Sequence, residues 1–189
     1  MDNKLPLLSN QRVDTSPEQK GFTLIELLVT LSILTIMLSI AVPNLITFVQ
    51  NSRLVGQAND LVTALNYARS EAIKRGVRVS ICSRLDNTTC SGAAVFNWDT
   101  GWLIFVNPNN NAVVDIVAGE TVLQVRQPLE NGNTLRTANM QRVTYQNTGF
   151  SGNADTFRLC DSRGTARGRA IAVSLQGRVS TSTGTTACP

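Results

Sequence analysis

Hydrophobic and polar positions follow different patterns along the chain, and each pattern predicts a different element. Residues 1–20 are polar and mixed in charge, are interrupted by Pro6 and Pro17, and read as disordered. Residues 22–42 are apolar or small on every side, with Glu26 as the one charge among 21 positions. As a helix this stretch rises roughly 31 Å, close to the ~30 Å hydrocarbon thickness of a bilayer. Pro43 removes an intrahelical hydrogen bond and predicts a kink or a melted stretch over residues 41–44. Beyond it Leu54, Ala58, Leu61, Leu65, Ala68 and Ala72 recur at alternating intervals of four and three, the seam of an amphipathic helix. Arg53, Gln57, Asp60, Arg69, Glu71 and Lys74 fall mostly off that seam. Lys74-Arg75-Gly76 is a stop signal, with cations at the negative end of the dipole and a glycine after it. One helix of about 54 residues is therefore expected over 22–75.

After Gly76 the period shortens to two. Strands are expected at 77–83, 102–106, 113–117, 121–127, 142–146, 156–160, 170–175 and 178–181, with the third and fourth as a hairpin around Ala118-Gly119-Glu120. Turn-rich stretches lie between them at 107–111, 130–133 and 149–153. The expected fold is α+β: a long N-terminal helix, half of it membrane-spanning and half amphipathic, packed on an antiparallel sheet. Trp98 and Trp102 flank Asp99-Thr100-Gly101 and read as core and turn packing. The Ser/Thr/Gly-rich stretch 180–186 is expected to be loose unless Cys188 ties it to Cys160.

Composition narrows the chemistry. The chain has 189 residues, no histidine, and a formal net charge of +4. The missing histidine removes the commonest metal ligand and the commonest acid–base group. Ser80, Ser174 and the cysteines then have no imidazole to activate them, and Asp99, Asp115 and Asp161 stand without a paired carboxylate. No glycine-rich phosphate loop joins a strand to a helix. The chain reads as non-enzymatic, with no cofactor and no metal site. Cys82, Cys90, Cys160 and Cys188 are spaced by 8, 70 and 28 with no C-x-x-C pair, which argues against structural zinc. Two disulfides in an oxidising compartment fit better. The local pairing, Cys82 with Cys90 and Cys160 with Cys188, is expected, although four cysteines allow three connectivities.

Glu26 is the informative residue. An ionised carboxylate in lipid costs several kcal/mol, and a plain anchor has no use for it. A secretory signal would carry its small-residue cleavage site after the apolar run, whereas Lys20-Gly21 precedes it. A cut after Gly21 would leave the apolar segment attached and give Phe22 a free amine one helical turn from Glu26. In a stack of subunits, Glu26 of one could pair with the terminal amine of the next, so that its charge is compensated only in register.

The run Lys20-Gly21-Phe22-Thr23-Leu24-Ile25-Glu26-Leu27 resembles the type III signal of type IV pilins and type II secretion pseudopilins. The resemblance implies cleavage between Gly21 and Phe22 by an inner-membrane prepilin peptidase, and N-methylation of Phe22. It implies that Glu26 is the acidic residue of filament assembly, and that Pro43 occupies a place where such helices commonly carry a proline. Residues 61–75 (LVTALNYARSEAIKR), 79–82 (VSIC), 157–164 (FRLCDSRG), 170–174 (AIAVS) and 177–179 (GRV) are similar to the GspH/FimT family of minor pilins and minor pseudopilins. That likeness implies a leader at 1–21, a membrane and assembly helix at 22–53, and a periplasmic head at 54–189. It implies a single-pass bacterial inner-membrane protein that primes or caps a type IV pilus with other minor and major pilins, in twitching motility or adhesion. The alternative it implies is the corresponding minor subunit of a type II secretion pseudopilus. A third reading is DNA binding for natural transformation. Members of the FimT type are associated with it through a G-R-x-R motif, but here Gly177-Arg178-Val179-Ser180 lacks the second arginine. The cations available for phosphate contact are Arg163, Arg167, Arg169 and Arg178, and alternating strand positions are expected to scatter them.

Overall fold

The computed structural model describes residues 21–92, 96–110, 120–130, 132–185 and 187–188. Helix α1 covers Leu24–Arg75. Thr23 caps it: its hydroxyl accepts from the Glu26 N–H at 3.2 Å, satisfying one of the first-turn donors that have no intrahelical partner. Through the apolar stretch Thr30, Ser32, Thr35 and Ser39 donate to carbonyls one turn back, at 2.7–2.9 Å. A hydroxyl bonded to its own helix carries no unmet polar demand into an apolar surrounding. Contrary to the melted stretch expected over 41–44, the helix is continuous through Pro43. The Asn44 side-chain amide donates to the Ile40 carbonyl at 2.9 Å and supplies a donor in the turn that the proline ring disturbs.

The chain divides into two units, residues 1–45 and residues 46–189. In the second, the seam of α1 is buried as its spacing requires: Leu54, Leu61, Leu65, Ala68 and Ala72 are closed to solvent. Glu71, placed off the seam by its charge, is also buried. It accepts from Arg75 Nε at 2.6 Å and lies 3.7 Å from Lys74 Nζ, so its charge is met within its own helix. The helix stops where Gly76 takes φ +68°, a left-handed conformation that suits glycine.

Among the described residues eight strands follow: β1 Val79–Ser83, β2 Trp102–Val106, β3 Val122–Arg126, β4 Thr134–Arg136, β5 Arg142–Tyr145, β6 Asp155–Cys160, β7 Arg169–Val173 and β8 Val179–Thr183. They form two antiparallel four-stranded sheets rather than the single sheet expected, in the orders β3-β2-β1-β5 and β4-β6-β7-β8. Strand β4 was not expected; at three residues it is too short to show a period. The expected strand at 113–117 lies outside the described residues, as do residues 1–20 of the expected leader. The strand expected at 178–181 is β8, paired from Val173↔Val179 to Arg169↔Thr183, and the Cys160–Cys188 bridge that was the condition for an ordered 180–186 stretch is present.

One core joins the helix seam to both sheets, through Val79, Ile81, Ile104, Val143 and Tyr145 on one and Leu135, Phe157, Leu159, Ile171 and Val173 on the other. Trp98 fills its centre, edge-on to Phe157 at 4.8 Å, and its indole N–H donates to the Met140 carbonyl at 3.0 Å. Strand β1 is buried on both faces because Cys82, Cys90, Leu103 and Phe105 form a second, smaller cluster. Disulfides join Cys82 to Cys90 and Cys160 to Cys188.

Candidate assembly site

Gly21 and Phe22 precede the first helical turn and are exposed, Phe22 by 84%. Among the described residues, none beyond its chain neighbours lies within 4 Å of where a side chain on Gly21 would start. Glu26 sits one turn further on. Around it Leu24, Ile25, Leu27, Leu28 and Val29 are all exposed. Among the described residues α1 is the one helix long and apolar enough to cross a membrane, with mean hydropathy 2.4 in its most apolar window, none of which the chain itself covers. The sequence reading missed the capping role of Thr23, although the spacing Thr23-x-x-Glu26 is that of a capping box. The cap holds the first turn, and hence the placement of the carboxylate, independently of any partner.

The arginines considered for phosphate binding are not brought onto one track. Arg163 is engaged: its Nη2 lies 2.6 Å from Asp161 Oδ2, its Nη1 donates to Asn51 at 2.9 Å, and its backbone N–H donates to Asp161 Oδ1 at 2.9 Å. Burial disfavours the ionised form of Asp161, but the hydrogen bonds and charge of Arg163 outweigh it and hold that carboxyl below its ordinary 3.8. Arg169 Nη1 donates to Thr183 across the β7–β8 pair. Arg167 is exposed in the turn before β7. Arg178 is exposed at the opposite end of the hairpin, about 17 Å of strand away from Arg169. Among the described residues no cluster of His, Cys, Asp or Glu could hold a metal ion.

Arg69, which the helix pattern left on the polar side, has a role that only the folded chain reveals. Its Nε donates to the Gly149 carbonyl at 3.0 Å and its Nη2 to the Gln176 carbonyl at 3.2 Å, tying the β5–β6 and β7–β8 turns to the helix.

An uncovered apolar helix with a capped acidic first turn, carrying a disulfide-bonded β head, defines a membrane-anchored protein of the type IV pilin class. The family described as type II transport protein GspH matches residues 57–177, and the prokaryotic N-terminal methylation motif matches residues 17–42. The chain belongs to the GspH family. No curated protein matches it. Among solved structures, it is similar to the type IV minor pilin FimU of Pseudomonas aeruginosa (strain PAO1) in two crystal forms, both at 21% identity. The form in space group P65 gives a TM-score of 0.54 over 70% of this chain and 97% of that one. The form in space group P21 gives 0.58 over 75% and 99%. At that identity the likeness is one of fold.

Proposed function

We propose that this protein is a minor pilin that primes or caps a type IV pilus, and that it acts as a structural subunit without catalysis. The observation that carries the reading is Glu26, a carboxylate on the otherwise apolar, uncovered first turns of α1, directly after the exposed Gly21-Phe22 bond. A prepilin peptidase cuts that bond and methylates Phe22, removing the leader 1–21. The subunit then rests in the inner membrane as a single-pass protein, with its head in the periplasm. The assembly helix reaches residue 53 and the head runs over 54–189. Glu26 finds the terminal amine of an adjacent pilin and so sets the register of insertion.

Two disulfides support an envelope location, since such bonds persist in oxidising compartments. The bridge near the C-terminus and the overall likeness to FimU, itself a minor pilin by name, favour the pilus. A second reading is the minor subunit of a type II secretion pseudopilus, which the description of the matching family favours. Both use the same helix, so the test lies in where the protein ends up. Surface filaments sheared from the native cells and measured by quantitative mass spectrometry should contain it at a small ratio to a major pilin, beginning at a methylated Phe22. Its absence from filaments of normally piliated cells, with retention in the envelope, would move the assignment to the secretion apparatus.

A further inference from the structure

Among the described residues of the head beyond Val55, five large hydrophobic side chains are exposed: Tyr67, Ile73, Leu85, Phe150 and Leu175. Three of them stand on segments that adjoin one another. Ile73 lies in the last turns of α1, with its Cδ1 against the backbone of Gly149. Phe150 follows Gly149 in the β5–β6 turn. Leu175 stands on the β7–β8 turn, and its carbonyl accepts from the N–H of Ser151 at 2.9 Å. Each is more than half exposed, at 52%, 52% and 55% respectively.

The junction beneath them is built to be rigid. Arg69 spans both turns, and Gly177 and Gly149 are so close that a Cβ on Gly177 would stand 2.1 Å from the Gly149 carbonyl oxygen. Fixed apolar side chains facing water are what a contact surface needs and what a solitary head has no reason to keep. The rim is cationic. Arg178 is exposed three residues after Leu175 and has no carboxylate partner among the described residues, and Lys74, 77% exposed, follows Ile73. The nearby carboxylate, Glu71, is already taken by Arg75 and Lys74.

From this geometry we infer that Ile73, Phe150 and Leu175 form a docking surface for the head of a different subunit of the same assembly, one that presents an apolar side chain flanked by Asp or Glu. A second copy fits poorly, because a two-fold contact through this patch would set Arg178 and Lys74 against themselves. The inference rests on the reading of the chain as a filament subunit and adds the chemistry of its neighbour.

The test places a photo-crosslinking benzoylphenylalanine at Leu175 in the full chain, in the cells that build the filament. Irradiation should yield one discrete product with a different pilin-like subunit, attached within a peptide containing Asp or Glu. Arg178→Glu should lower its yield about tenfold, as expected when like charges face each other at an interface rim. No product, a product with a second copy, a nuclease-sensitive product, or a yield untouched by Arg178→Glu would each overturn the proposal. Sheared filaments analysed in parallel separate the two readings. Protein present in filaments without the crosslink sinks the docking surface alone. A crosslink to an acidic subunit in protein confined to the envelope sustains the surface and sinks the pilus.

Discussion

Asp161 shows what one side chain contributes when its partners are fixed. Its oxygens accept from the side chain and backbone of Arg163, and Arg163 in turn reaches Asn51 on α1, so the pair ties the β6–β7 turn to the helix. Asp161→Asn should cost about 1.5 kcal/mol near neutral pH, the range for a hydrogen bond to a charged group. The pH dependence follows from the direction of the shift. A carboxyl held below its ordinary 3.8 in the folded state stabilises the fold fully above that value and loses the effect as pH falls through the lower, folded one. The difference in thermal midpoint between wild type and Asp161→Asn should therefore be constant above pH 5 or so and shrink below about pH 3.8. A difference that persists unchanged into that acid range would show that the ion pair is not its source. None of this was legible in Asp161-Ser162-Arg163 as a sequence. The two residues are close enough to suggest a pair, but Asn51, which completes it, lies 112 positions away.

At the scale of the element, legibility follows period. The seam of α1 was readable because Leu54, Leu61, Leu65 and Ala68 repeat at helical intervals and all face one core. Strand β4 was not, because three residues carry no period, and its place comes from pairing with β6. Strand β8 was readable only in part, at 178–181, and it runs two residues further. Its serines and threonines look like linker composition, yet they lie on an edge where Ile171↔Thr181 and Val173↔Val179 hold them to an apolar neighbour. Two substitutions test these elements. Gly177→Ala meets both a positive φ, +73°, and the Gly149 carbonyl, and should destabilise the head by about 3 kcal/mol in denaturant unfolding. A loss under ~1 kcal/mol would mean that the two turns move apart at little cost. Replacing Cys160 and Cys188 together by serine should cost about 3 kcal/mol, since the bridge closes a 28-residue separation. Protease cleavage within 180–185 should then become faster; an unchanged rate would show that β8 is held by pairing alone.

For the whole molecule, the division into two units separates two jobs. Residues 46–189 contain one shared core and both disulfides, whereas residues 24–45 bury nothing of their own. Glu26→Val belongs to the first unit and should leave head stability unchanged, with the protein still fractionating with membranes. Its recovery in sheared filaments should fall by at least about tenfold, the effect of losing a compensated charge worth ~1.4 kcal/mol or more. Normal recovery would remove Glu26 from the assembly mechanism. The sequence placed the change from apolar helix to head at residue 54, where the seam begins, whereas the compact unit begins at residue 46. It led us to expect scattered arginines after Asp155 but not the partners they find, since those depend on which turn closes which strand pair.

The bond between Cys160 and Cys188 also turns the last part of the chain into a covalent ring that holds β7 and β8. A linear tail is shortened by every cut, but a ring is only opened. Cleavage after the exposed Arg167 would leave both new ends attached to the same molecule, heavier by one water, with the two strands still joined at their shared turn. Damage at that turn becomes loss of material only when a reductant follows the protease.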